Sequence, residues 1–232
     1  MISIIESKYC VPLAERYRVL SHLQRRLRSP LKFSRASVRT VYFDDVNLRS
    51  YYESRDGHLD KHKYRWREYV GPEEGGARYS IEIKIRSAST TRKIKEYIHA
   101  RLPENYRPAS FRSLISRLGV RHGFLPDDIP DNLHPTVTIC YDRYRFHDLR
   151  DEDVRYNLDS NIRTYLVTPA DTASNAFIRC DTDILEVKAP ADKQVNSGFI
   201  GLLGLDAKPI SFSKYMWGME AWASMSAPFD FF

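Results

Sequence analysis

Lys and Arg recur two residues apart on many short segments of this chain, and carboxylates are interleaved with them. On a β-strand, residues i and i+2 share a face. In segment 78–86 one face carries Arg78, Ser80, Glu82, Lys84 and Arg86, and the other carries Tyr79, Ile81, Ile83 and Ile85. Arg65, Arg67 and Tyr69 oppose Tyr64, Trp66 and Glu68, while Glu6 and Lys8 oppose Ile5, Ser7 and Tyr9. Tyr141, Arg143 and Arg145 share a face, Arg155, Asn157 and Asp159 oppose Val154, Tyr156 and Leu158, and Glu186 and Lys188 oppose Leu185 and Val187. One such strand reads as half-buried sheet with a solvated polar face. Repetition on six strands points to one shared surface, and the inside of a closed barrel is the simplest such surface, because closure also removes exposed sheet edges. Arg65, Arg67, Lys84, Arg143, Arg155 and Lys188 in one lumen repel one another, and Glu6, Glu82, Asp159 and Glu186 offset only part of that charge. A bound polyanion supplies the rest: Arg gives bidentate contacts to phosphate oxygens and Lys gives point charges. The acidic minority can hold a hard divalent cation, Mg²⁺ or Mn²⁺.

The elements that must position these groups are mostly strands. Candidates are 3–10, 38–44, 63–70, 78–86, 92–98, 136–147, 153–158 and 178–188, all rich in β-branched or aromatic residues. Gly71-Pro72 and Gly75-Gly76 mark a hairpin between two of them. Pro12–Ser29 has helical spacing with Arg16, Arg18, Arg25, Arg26 and Arg28 on a solvated face, Phe111–Val120 is a second helix, and a third starts at Ser211 or Ser213. Pro126–Pro135 is a loop too poorly flanked to divide the chain, and 193–204 reads as a loop without a Walker pattern. The expectation is α+β, mostly antiparallel: one domain over 1–232, an eight-stranded closed tunnel barrel with flanking helices.

The totals agree. The 232 residues are 42% hydrophobic, with 36 Lys and Arg against 30 Asp and Glu. A net charge of +6 suits an anionic partner. No apolar stretch reaches the roughly 20 residues of a membrane span, and the start lacks a signal-peptide pattern. Three widely spaced cysteines, Cys10, Cys140 and Cys180, argue against a disulfide framework and a zinc cluster and fit a reducing, cytoplasmic compartment. Carboxylates interleaved with the basic residues, and the lack of an RNA-binding aromatic motif, argue against nucleic acid.

Eight short pieces occur in an order that resembles a known family: Glu6-Ser7-Lys8-Tyr9, Val41-Tyr42-Phe43-Asp44, Arg65-Trp66-Arg67-Glu68-Tyr69, Glu82-Ile83-Lys84, Tyr141-Asp142-Arg143, Arg155 with Leu158-Asp159, Leu185-Glu186-Val187-Lys188 and Ser213-Lys214-Tyr215. Together they resemble the catalytic domain of the vacuolar transporter chaperone (VTC) proteins, a branch of the triphosphate tunnel metalloenzymes. The resemblance implies an eight-stranded tunnel and phosphoryl transfer from the γ-phosphate of ATP to polyphosphate with Mn²⁺ or Mg²⁺. Alternatives on the same scaffold are a triphosphatase and a non-catalytic module binding polyphosphate or inositol polyphosphate. It implies Lys8, Arg65, Arg67, Lys84, Arg143, Arg155 and Lys214 as catalytic phosphate ligands. Glu186 becomes the principal metal ligand, with Glu6 and Glu82 beside it. Tyr42, Lys188 and Ser213 join the substrate-binding set, as does one lysine of the strand after Lys84; Lys93 and Lys95 both fit, and Lys93 is preferred. Position 4 is Ile, so the E-x-E-x-K opening of the hydrolytic branch is incomplete, which favours the VTC branch.

Overall fold

The computed structural model describes residues 4–30, 33–71, 76–87, 90–99, 108–123, 129–167, 176–193 and 197–225. Its strands are β1 (Ile4–Pro12), β2 (Arg35–Asp44), β3 (Lys61–Val70), β4 (Ala77–Ser87), β5 (Thr90–Ile98), β6 (His134–His147), β7 (Arg155–Leu166), β8 (Ile178–Arg179) and β9 (Thr182–Pro190). Its helices are α1 (Arg16–Arg26), α2 (Arg49–Arg55), α3 (Pro108–Arg121), α4 (Ser197–Leu202) and α5 (Lys214–Met225). One antiparallel sheet runs β1-β9-β7-β6-β2-β3-β4-β5, with β8 beside β7.

The sheet curls into a half-barrel and does not close. Its end strands, β1 and β5, are not paired with each other among the described residues, which corrects the expected closed barrel. Alternation dictates which face is polar but carries no information on whether the first and last strands of the sheet meet. The gap is crossed by the segment before α5. The Ile210 amide donates to the Lys8 carbonyl at 2.8 Å, Lys8 Nζ donates to the Phe212 carbonyl at 2.8 Å, and Lys63 Nζ donates to Ser213 Oγ at 3.0 Å. Residues 210–213 therefore link β1 to β3 without adding a strand.

The apolar faces point outward and are covered by helices, as the alternation requires. Val19 and Leu23 of α1 pack with Tyr156, Leu185 and Val187. Phe111, Ile115 and Leu118 of α3 cover Trp66, Ile81 and Ile83, with the rings of Phe43 and Phe111 stacked. α5 is different: its Tyr215 and Met219 pack on Ile139, Ile162 and Ile184, and since Ile139 pairs with Thr40 and Ile184 with Asp159, this helix lies against the inner face. Each of these core side chains is under a tenth exposed. Among the described residues no helix is long and apolar enough to cross a membrane.

Several boundaries differ from expectation. β1 extends through Pro12, so the helix begins only at Arg16, after a 3-10 turn at Leu13–Glu15. The expected strand 178–188 is divided into β8 and β9, and β7 runs eight residues past Leu158, to Leu166. α4 lies in the segment read as a loop, and α2 lies between two expected strands where no element was assigned. Residues 72–75 of the hairpin turn and 126–128 of the Pro/Asp-rich loop lie outside the described residues, but Val70 pairs with Ala77 across the hairpin. Ser213, not Ser211, precedes α5 and accepts a long hydrogen bond of 3.5 Å from the Met216 amide. The basic face of α1 is engaged structurally: Arg16 forks onto Asp183 at 2.5 and 2.8 Å, and Arg18 donates to the Leu203 carbonyl at 2.7 Å.

Candidate functional site

Directly paired residues of an antiparallel ladder lie on the same face, so register alone arranges the polar interior in rows. Across β3, β4 and β5 the rows are Lys63–Lys84–Lys93, Arg65–Glu82–Lys95 and Arg67–Ser80–Tyr97. Tyr42 of β2 pairs with Arg65, and Thr40 with Arg67. On the opposite wall the rows are Glu6–Lys188–Arg155, Lys8–Glu186–Asn157 and Arg143–Asp159. The two walls are within electrostatic reach, because Lys84 of β4 lowers the pKa of Glu6 on β1.

Glu82 has no solvent exposure and sits in a cage of cations. Arg65 donates to its Oε2 through Nε at 2.7 Å and Nη2 at 2.5 Å; Lys93 Nζ lies 3.1 Å from Oε1, and Arg67 and Lys95 stand at 3.7 Å. Burial pushes its pKa up, yet Arg65, Arg67, Lys93 and Lys95 together hold it far below the usual carboxylate range. Arg67 also donates to Thr40 Oγ1 at 3.0 Å and to the Tyr69 hydroxyl at 3.1 Å. Burial raises Tyr69, but Arg67, Arg143 and Lys95 outweigh it and bring its pKa down to about 7.

A second centre is Asp159, also without exposure. Arg143 grips it with Nε–Oδ1 2.6 Å and Nη2–Oδ2 2.7 Å, and Lys214 Nζ reaches Oδ2 at 2.6 Å. Lys214 is the first residue of α5, so helix placement aims its ammonium inward. Tyr42 and Tyr215 stack at 5.0 Å, and the Tyr215 hydroxyl donates to Asp44 Oδ2 at 2.5 Å. Asp44 also accepts the Ser50 and Tyr51 amides at 2.9 and 3.0 Å, tying α2 to α5 beneath the lumen.

The third centre joins Glu6 and Glu186. Lys188 Nζ lies 2.7 Å from Glu186 Oε1 and 3.3 Å from Glu6 Oε2; Lys8 Nζ is 3.0 Å from Glu6 Oε1, and Arg143 Nη2 is 3.8 Å from Glu186 Oε2. Burial and the Glu186 charge raise Glu6, but Lys188, Lys8 and Lys84 bring it down to about 2. Glu186 Oε1 is buried, and the Lys188 ammonium near it is poorly aligned for a hydrogen bond. Such an oxygen suits a hard cation, which takes one or two carboxylates and completes its shell with phosphate and water oxygens. Among the described residues no three His, Cys, Asp or Glu side chains converge as a metal cage. Glu82, expected beside Glu186, is instead neutralised by its own four cations.

A model of the VTC domain matches residues 3–223. The chain belongs to the VTC domain family. No curated protein matches it. Solved structures similar to this VTC domain include a candidate adenylyl cyclase from Hippeastrum described as having a dominant triphosphatase activity, at 13% identity and a TM-score of 0.59, covering 95% of this chain and 96% of that one. A candidate adenylate cyclase from Bacillus halodurans aligns at 14% identity and a TM-score of 0.54, covering 91% and 94%. At these identities the likeness establishes a shared tunnel-type fold.

Of the residues expected from sequence, this VTC domain brings Lys8, Arg65, Arg67, Lys84, Lys93, Arg143, Lys188 and Lys214 to the interior with Tyr42, Glu6, Glu82 and Glu186. Ser213 sits at its mouth, on Lys63. Both Lys93 and Lys95 face inward, since both reach Glu82. Arg155 shares the face but is exposed at the rim, and makes no ion pair among the described residues. Sequence reasoning left out Lys63, although it stands two residues before Arg65 on the same face. It placed Tyr69 and Tyr141 on the inward faces but gave them no role in the site.

Proposed function

We propose that this VTC domain binds the triphosphate of ATP in its half-barrel and transfers the γ-phosphoryl group, with growing polyphosphate as acceptor. The observation supporting this reading is the convergence of Lys8, Arg65, Arg67, Lys84, Lys93, Arg143, Lys188 and Lys214 on the concave face of the half-barrel. Phosphoryl transfer asks a protein chiefly for positioning and for cations around the transferring oxygens. Arg65, Arg67 and Arg143 offer forked donors to phosphate oxygens, while Lys8, Lys84 and Lys214 offer mobile point charges. Arg155, at the open rim, meets the part of the substrate that extends outward. Glu186, with Glu6, would hold a divalent ion, Mg²⁺ or Mn²⁺, whose contribution is to neutralise charge on the phosphate oxygens. The acceptor on a polyphosphate chain is already an anionic oxygen, so no strong general base is needed.

Transfer to water instead of phosphate makes the same machinery a triphosphatase. The likeness to the Hippeastrum protein with its triphosphatase activity favours that second reading. The deciding assay incubates the chain with ATP and Mn²⁺ and separates long-chain polyphosphate from free phosphate. Polyphosphate supports synthesis, free phosphate alone sinks it in favour of hydrolysis, and tight binding without either product leaves a binding module.

A further inference from the structure

The interior cations are not equally compensated. Arg65 and Arg67 share Glu82, and Arg143 and Lys214 share Asp159. All four pKa values are raised, even against burial, because carboxylates and tyrosines stand beside them. The row Lys63–Lys84–Lys93 is different. Its members are direct cross-strand partners on β3, β4 and β5, and like charges placed directly opposite are destabilising. Among the described residues only Lys93 of the three forms an ion pair, with Glu82. Lys84 has the Glu6 charge in its favour, but burial and Lys8, Arg65 and Lys188 prevail and lower it.

Lys63 is the least compensated of all. The groups facing it are Lys84 from β4, Lys8 from β1, Lys61 and Arg65 from its own strand, and Ser213 and Tyr215 from the α5 end. Its hydrogen-bond partner is the neutral Ser213 hydroxyl, and the Tyr215 ring lies 5.8 Å away. Burial and the four neighbouring cations bring its pKa down to about 7. An incoming phosphate gains most where positive charge has no internal partner, because elsewhere it must displace a carboxylate already in place.

We propose that Lys63 is a further substrate-binding residue, which completes with Lys84 and Lys93 a lysine row that grips a phosphate of an oligophosphate chain. The proposal rests on the oligophosphate-binding reading of the interior. A phosphate seated there brings the missing negative charge, so Lys63 takes up a proton as the ligand binds.

The test is calorimetric titration of the whole chain with inorganic tripolyphosphate and, in parallel, ATP, at about pH 8 in two buffers of different ionisation heat. These ligands share the triphosphate and differ in the nucleoside. Lys63→Met should weaken both by roughly tenfold or more. Lys63→Arg, always charged, should keep wild-type affinity while the proton uptake falls by most of one proton. The difference from wild type cancels the ligands' own protons and those of Tyr69 and Lys93. Wild-type binding that Lys63→Met leaves unchanged, or an uptake that Lys63→Arg leaves unchanged, overturns the role of Lys63 and spares the function proposed above. A wild-type protein that binds neither ligand overturns both.

Discussion

Arg143 and Asp159 form a two-pronged ion pair in the interior, with both prongs between 2.6 and 2.7 Å and Asp159 fully buried. Lys214 shares the same carboxylate. Asp159 is thus the resident counterion of two groups that sequence reasoning assigned to substrate. Removing one partner of a buried pair costs about 3–5 kcal/mol, because the other charge is left uncompensated. Asp159→Asn should lower unfolding free energy in urea by that order. Saturating tripolyphosphate should restore part of the loss, since it supplies a replacement charge.

Ligand-free stability should rise with pH from about 7 to about 10. The folded-state values of Lys63 (about 7) and Lys93 (about 8) lie below the 10.5 of the free side chain. Between the two values the unfolded chain binds more protons than the folded one, so raising the pH favours folding. Tyr69, at about 7 against 10.0, acts in the same direction. Lys63→Met should flatten the rise measured by denaturant midpoints over that range; a slope equal to wild type would show that Lys63 is ordinarily solvated. At the acid end, Glu6, lowered to about 2 from 4.5, contributes stability that is complete above the unfolded value and is lost as the pH falls toward 2.

Gly218 lies where α5 meets the inner face of the sheet, against the cross-strand pair Ile139 and Thr164. A Cβ there would come within 2.6 Å of Ile139 Cδ1 and 3.0 Å of Thr164 Oγ1. Gly218→Ala should therefore destabilise the fold by about 1–3 kcal/mol, despite the better helix propensity of Ala, because overpacking outweighs it. Since α5 also carries Lys214, affinity for triphosphate should fall with stability, which thermal shift with and without ligand would record.

How much was legible follows from what each kind of pattern encodes. Period-two alternation named the inward faces of β1, β3, β4, β6, β7 and β9, and the outward apolar faces found under α1 and α3; it did not show that α5 would pack on apolar residues of the inner face. It was silent on closure, because the meeting of β1 and β5 depends on curl and strand tilt. α2 escaped notice because it is only seven residues long, follows Leu48 in the left-handed region, and is capped from a distance by Asp44. Lys63 escaped because motif matching begins at Arg65, though Lys63 lies on the same face. The grouping of carboxylates could not be read at all: Glu82 and Glu186 look alike in sequence, and only three-dimensional register gives one a cage of cations and the other a neighbouring Glu6.

That difference yields a test with opposite signs. If Glu82 is an internal counterion, Glu82→Gln removes a negative charge that competes with substrate at Arg65, Arg67, Lys93 and Lys95. Ligand-free stability should then drop, while tripolyphosphate binds more tightly. A competing charge roughly 6 Å away, at an effective dielectric of about 20, is worth on the order of 1–3 kcal/mol, or about ten- to a hundredfold in affinity. Glu186→Gln should behave otherwise: its loss should weaken the dependence of activity on Mn²⁺ or Mg²⁺ and lower turnover without tightening the ligand. Titrating both variants with tripolyphosphate, with and without the metal, separates the roles. Weaker metal-dependent binding in Glu82→Gln would restore Glu82 to the metal site that the sequence suggested.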